Sequence, residues 1–177
     1  MEEIFDILNT KGQYTGETAT RSDCHKKGFY HKAVALFIIN SKEQVLLQKR
    51  SADKKLWPGM WDISAGGHVL TGEFGFEAVI RECEEELGLK LRPEEITFIG
   101  ATISNTSKHS IIHNHFNEYY IVRKDLDPAT LTLQTEEVSA AKWIDRDEII
   151  RKIQDGYQGI TDKEGCWEYL VEYYKHQ

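Results

Sequence analysis

Only three prolines and three cysteines occur in the 177 residues. The prolines, Pro58, Pro93 and Pro128, all read as turns or breaks between elements. The cysteines, Cys24, Cys83 and Cys166, are odd in number and far apart, with no C-x-x-C pair. That argues against both a disulfide framework and a zinc ribbon, and makes the cytoplasm the expected compartment. No apolar run approaches the ~18 residues of a membrane span. The first residues, MEEIFDILNT, are acidic and carry no secretory leader pattern. A basic excess is also missing: the net charge is −7 and the pI is near 5.5. This disfavours a nucleic-acid polymer or an anionic membrane as partner, but not a small phosphate ligand carried in with a cation. There is no internal repeat and no low-complexity tract. With 40% apolar and 29% charged residues, the chain reads as one ordinary globular domain over residues 1–177.

The stretch that stands out is GHVLTGEFGFEAVIRECEEELGL, residues 67–89. On a helix, Glu82, Glu85 and Glu86 fall at i, i+3 and i+4 and share one face. Phe76, Val79, Ile80, Cys83 and Leu87 form a second arc, expected to face the core. Gly88 reads as the left-handed residue that ends the helix. Three carboxylates on one face repel each other by roughly 0.2–0.5 kcal/mol per exposed pair, and a hard divalent cation would reverse the sign.

Around this helix the alternation of apolar and polar residues outlines a mixed α/β pattern. Residues 4–9 read as a strand, with Tyr14-Thr15 opening the return limb of a hairpin. Residues 16–30 read as loop, which makes 1–30 an N-terminal extension. Strands are expected at 33–39, 45–50, 63–65, 96–103, 111–122 and 138–144, with 104–110 as a loop. Helices are expected at 146–154, with Asp145 as N-cap, and at 166–175. The Trp- and Tyr-rich last helix either covers the core or joins a homodimer.

Gly67, Glu73, Arg81-Glu82-Cys83, Glu85-Glu86 and Gly88-Leu89 match every fixed position of G-x5-E-x7-R-E-U-x-E-E-x-G-U. Residues 67–89 thus resemble the Nudix box, with Cys83 as a small hydrophobe in the first aliphatic slot. The resemblance implies a MutT-like hydrolase with an α/β/α sandwich around a mixed sheet, the family-like frame covering residues 33–154. It implies Mg²⁺ or Mn²⁺ as cofactor and a small-molecule diphosphate as substrate. Glu82, Glu85 and Glu86 become the candidate metal ligands. Arg81, Glu85, Glu86 and Glu118 become the catalytic candidates, Arg81 and Glu73 as positioning groups. Glu85, Glu118, Glu136 and Glu137 are the candidate bases.

A second resemblance, to the type I isopentenyl-diphosphate isomerases, rests on the His-containing segments, on Trp57-Pro58-Gly59-Met60-Trp61 and on Gly67-His68. In those enzymes histidines and a later glutamate build another metal site, and His25, His31, His68 and Glu118 fall at comparable places. His113 and His115, two residues apart in a strand, share a face. The isomerases' catalytic cysteine has Gly66 in its place here, and this chain keeps the whole box, so hydrolysis is the favoured expectation. A non-catalytic nucleotide sensor is the third reading. Trp57, Trp61, Phe116 and Tyr119 read either as base-stacking or as core aromatics.

Overall fold

The computed structural model describes residues 2–108, 111–163 and 165–176. At its centre is strand β3 (His31–Ile39), the apolar run of the sequence. Successive side chains of a strand point to opposite faces. Val34, Leu36 and Ile38 therefore enter one core cluster and Ala35, Phe37 and Ile39 another. The first cluster is closed by helix α2 (Gly75–Leu87) through Ala78, Val79, Cys83 and Leu87. The second is closed by α3 (Arg146–Gln154) through Ile149 and by α4 (Cys166–Lys175) through Trp167, Leu170 and Tyr174. The result is the expected α/β/α sandwich.

The sheet is mixed. β3 runs parallel to β8 (Ile111–Arg123) and antiparallel to β6 (Ala65–His68), while β7 (Ile96–Lys108) flanks β8. β4 (Gln44–Arg50) joins β3 at Ile39–Val45, then carries β5 (Trp61–Asp62) and β9 (Val138–Asp145). β1 (Ile4–Leu8) and β2 (Tyr14–Thr20) form a separate antiparallel pair. Both α3 and α4 occupy the residues expected, and α4 covers the core, with Trp167 fully buried and its indole N–H on the Thr161 carbonyl at 2.6 Å.

Four local expectations are corrected. Residues 16–30 are not loop: β2 continues to Thr20, and α1 (Arg21–Lys27) follows. The Thr20 hydroxyl accepts from the Asp23 amide, and Gly28, at φ 71°, ends the helix in the left-handed conformation. Residues 104–108 extend β7, pairing through Lys108–Ile111, while 109–110 lie outside the described residues. Phe76 is 37% exposed and stacks on Phe74 rather than entering the core. Asp145 stands at the N-cap, but its carboxylate takes the Gln44 amide instead of a helix N–H.

Candidate active site

α2 starts with a reach-back contact, Glu77 Oε2 accepting from the Phe74 amide at 2.8 Å. It ends at Gly88, whose φ is 65°. A Cβ on Gly88 would stand 2.7 Å from Thr132, so glycine is needed there for space as well as for conformation. Between these ends the three acids part company. Glu82 and Glu86 are buried, whereas the side chain of Glu85 is 53% exposed. Glu86 Oε2 accepts from the Gly66 amide at 3.2 Å and from Gln48 Nε2 at 3.1 Å. Glu82 lies against Gly67 so closely that a Cβ there would sit 2.1 Å from its Oε1. The Gly66-Gly67 pair thus gives the two buried carboxylates a floor of bare backbone.

Arg81 binds this set together. Its Nε and Nη2 donate to the two oxygens of Glu73, each at 3.0 Å, and its Nη1 donates to Glu82 Oε1 at 2.7 Å and Glu85 Oε2 at 3.3 Å. Glu73 Oε2 also accepts from the Leu70 amide at 2.9 Å. A planar fork with fixed donors suits such bidentate holding. Beside Arg81 and Glu85 runs an open groove of ≈ 400 Å³, bounded also by Glu77, Ile80 and Glu84.

The electrostatics are those of two crowded, buried acids, of which Glu82 is paired with Arg81. Burial, then the charge of Glu82, pushes the Glu86 carboxyl up to about 8. Glu82 is raised too, by burial and by Glu85, with Arg81 pulling the other way. Carboxylate oxygens of this kind fit a hard cation such as Mg²⁺ or Mn²⁺. So does Gln48 Oε1, buried in the same place without a hydrogen-bond partner among the described residues.

Four groups around Glu86 escape sequence reasoning. Asp62 is fully buried, and its Oδ2 meets Lys163 Nζ at 2.8 Å and Arg50 Nη1 at 3.1 Å. Burial works against its charge, yet Lys163 and Arg50 hold its carboxyl below the ordinary range. With Gln48 they place two cations and an amide at the acidic face. Arg50 and Gln48 could have been found from the period of β4, which turns both to the side opposite Leu47; nothing local marks Lys163.

Glu118 is elsewhere. Its Oε1 meets Lys32 Nζ at 2.9 Å, its Oε2 accepts from the Tyr120 hydroxyl at 2.6 Å, and it packs against Gly75. That is the start of α2, about two turns before Glu82. Glu137 pairs with Lys54, and Glu136 is exposed. Their loop is anchored to the end of α2 through the Gln134 amide on the Glu86 carbonyl at 3.1 Å. Among the aromatics, Tyr119 is core, its hydroxyl 2.7 Å from that of Thr102, and Phe116 packs on Tyr30 and over Gly12. Trp61 packs partly against the core, with Lys142 Nζ 4.4 Å from its ring centre. The Trp57 indole N–H bonds Asp162.

The histidines form a second cluster. One ligand atom from each of His25, His31, His68 and His115 lies within 4.8 Å of the others. Burial lowers all four, His31 to about 4 and His68 and His115 well below the ordinary histidine range, so the rings are neutral near pH 7.

The family profile described as NUDIX domain matches residues 29–163. The chain belongs to the Nudix hydrolase family. Its Nudix relatives include Nudix hydrolase 3 of Arabidopsis thaliana, 42% identical over 155 residues, a match that spans 83% of this chain but 20% of that protein's length. An uncharacterised Nudix hydrolase of Listeria monocytogenes is 37% identical over 84% of this chain and 83% of its own. An isopentenyl-diphosphate Delta-isomerase of Escherichia coli is 33% identical over 83% of this chain and 79% of its own. Among solved structures, DR0079 of Deinococcus radiodurans superposes with a TM-score of 0.69 over 98% of both chains at 24% identity. At that identity the likeness speaks for the Nudix fold alone. No helix among the described residues is long and apolar enough to cross a membrane.

Proposed function

We propose that this Nudix chain hydrolyses the phosphoanhydride bond of a small-molecule diphosphate linked to a further group, with Mg²⁺ or Mn²⁺ held on the acidic face of α2. The observation that carries this is the convergence of buried Glu82 and Glu86 on the bare backbone of Gly66 and Gly67, locked by the Arg81 fork. The cation, when bound, offsets charge on the diphosphate oxygens and sharpens a water as nucleophile. The chain's own groups do the rest. Glu82 and Glu86 are the ligands, because both are buried against the bare backbone of Gly66 and Gly67 and face the same side of α2. Glu85 has its carboxylate in solvent on the same face and takes the proton from the attacking water. Arg50 and Lys163 stand where a polyanion would meet them and orient it through charge.

Isomerisation in the manner of the Escherichia coli relative is less well supported. It needs an acid at the Gly66 position, and a Cβ there would fall 2.5 Å from the Val34 carbonyl oxygen. All three cysteines are buried, with Cys24 pushed up to about 11 and Cys83 and Cys166 to about 12.

The test is phosphate release from a panel of nucleoside and prenyl diphosphate derivatives with Mg²⁺ or Mn²⁺. Glu86→Gln should abolish turnover, and Glu85→Gln should lower kcat by about 10²–10⁴-fold with KM little moved. Turnover that survives Glu86→Gln, or conversion of isopentenyl to dimethylallyl diphosphate without phosphate release, would overturn the reading.

A further inference from the structure

Building on the diphosphate substrate argued above, we propose that Asp62 is a positioning residue of the same site. It pins the Lys163 ammonium beside the Arg50 guanidinium. The segment before α4 thereby completes a clasp that grips a diphosphate without help from a metal.

Asp62 stands in β5, paired in register with Gln48 on β4. Directly opposite residues share one face of a sheet. Gln48 Nε2 donates to Glu86 Oε2 at 3.1 Å, so the Asp62 carboxylate lies on the face that meets the acidic helix. Both of its oxygens are taken. Oδ1 accepts from the Ile63 amide and the Thr161 hydroxyl, each at 2.9 Å. Oδ2 meets Lys163 Nζ at 2.8 Å and Arg50 Nη1 at 3.1 Å.

One cation suffices to pair a buried carboxylate. Asp62 has two, so the trio keeps positive charge to spare. An ammonium offers three N–H donors and a guanidinium five, more than one carboxylate can take. Exposure separates the roles: the side chain of Asp62 is 0% exposed, that of Arg50 16% and that of Lys163 28%. A ligand can reach both donors but not the anion that holds them. Phosphoryl oxygens suit such a pair, since charge-assisted hydrogen bonds from a fork and an ammonium are strong and directed.

The segment that delivers Lys163 is seated from three sides. The Trp61 amide donates to the Gly159 carbonyl at 3.1 Å, and the Thr161 amide to the Trp61 carbonyl at 2.8 Å. The Trp167 indole N–H holds the Thr161 carbonyl at 2.6 Å from below. The Trp57 indole N–H bonds the carboxylate of Asp162, next to Lys163. Trp57 itself adopts φ 50°, a left-handed conformation that bulky residues rarely take. Arg50 lies against its ring, the guanidinium carbon 6.0 Å from the ring centre. Backbone strain of this kind persists only where the surroundings enforce it, and it gathers at ligand sites. The turn at Trp57-Pro58-Gly59 thus ties the Arg50 side of the clasp to the Lys163 side.

The test is calorimetric binding of methylenediphosphonate, whose bridge resists hydrolysis, to the full chain in the presence of chelator. The native chain should bind one molecule, more weakly as salt rises. Lys163→Met keeps the apolar stem and leaves Asp62 paired with Arg50. It should weaken binding by about tenfold or more, and Lys163→Arg should recover most of the loss. Asp62→Asn gives the site a further positive charge, so charge alone calls for tighter binding. Loss of the anchor calls instead for binding weaker by about fivefold or more. Should Asp62→Asn not fold, the double variant Asp62→Asn, Lys163→Met removes one charge of each sign. It should bind about threefold more weakly than Lys163→Met alone. In turnover with Mg²⁺, Lys163→Met should raise KM and leave kcat within a few-fold. No binding without metal, undiminished binding in Lys163→Met, or a fall in its kcat with KM unmoved would overturn the proposal. So would equal or tighter binding in Asp62→Asn, or in the double variant relative to Lys163→Met. The binding is read without metal or turnover, so its loss would leave hydrolysis standing, and a failure of hydrolysis would leave the clasp standing.

Discussion

Arg81 Nη2 lies 2.8 Å from the carbonyl oxygen of His68, so one guanidinium ties the box helix to the strand that leads into it. The same group holds both oxygens of Glu73 and Oε1 of Glu82. An ammonium cannot span those directions at once. Arg81→Lys should therefore keep the charge and lose the frame. Turnover should fall by roughly 10–100-fold, the usual cost of removing a group that orients a metal ligand. Phosphate release and Mn²⁺ affinity, measured on the folded variant, check this; unchanged values for both would mean that Glu82 holds its place unaided.

Gly67→Ala tests the floor beneath the carboxylates. The new methyl would sit 2.1 Å from Glu82 Oε1 and 2.4 Å from its carboxyl carbon, so the ligand must move. Gly72→Ala is the control: its φ of 78° penalises any side chain, but nothing lies within 4 Å of the added carbon. Gly67→Ala should weaken Mn²⁺ binding at least tenfold in an electron-paramagnetic titration. Gly72→Ala should cost about 1 kcal/mol of stability and leave binding intact.

The box was legible because its chemistry demands particular residue types at particular intervals, and a helix turns those intervals into a face. α3 and α4 were legible for a related reason: each has a clear apolar stripe. α1 was not, since in a helix of seven residues only Cys24 is buried, which leaves no period to read. Phe76 misled because it lies at the edge of the buried arc of α2, whose middle runs through Gly75, Val79, Glu82 and Glu86. The histidine cluster was half visible. His25, His31 and His68 carried a resemblance, but that His115 completes the set follows from the parallel register of β3 on β8, a long-range pairing. Likewise Lys163 meets Asp62 only because the segment before α4 folds back over β5.

Proton release should accompany occupation of the acidic face. In the metal-free chain Glu86 is raised to about 8, above its value in an unfolded chain. A carboxyl raised in this way contributes stability that is present in full below its unfolded value near 4.5 and is lost as pH climbs through about 8. The metal-free protein should thus lose stability between those limits, and Mg²⁺ should restore it by binding the ionised form. Apparent Mg²⁺ affinity should rise with pH over the same window and level off above it. Thermal scans with and without Mg²⁺ from pH 5 to 9 check the sign, and Glu86→Gln should flatten this part of the profile.

Glu118→Gln decides what the carboxylate at the start of α2 is for. It pairs with Lys32, takes the Tyr120 hydroxyl and leaves no room for a side chain on Gly75. Negative charge at a helix N-terminus is also favourable in itself. An amide keeps the shape but gives up the ion pair and the charge, and leaves a largely buried Lys32 ammonium without its counterion. Stability should drop by about 1–3 kcal/mol, read from urea unfolding. Turnover should change only a few-fold, because the carboxylate already has its two partners about two turns from Glu82. The opposite split, stability intact with kcat down by about 10²–10⁴-fold, would make Glu118 the proton acceptor and return Glu85 to the metal alone.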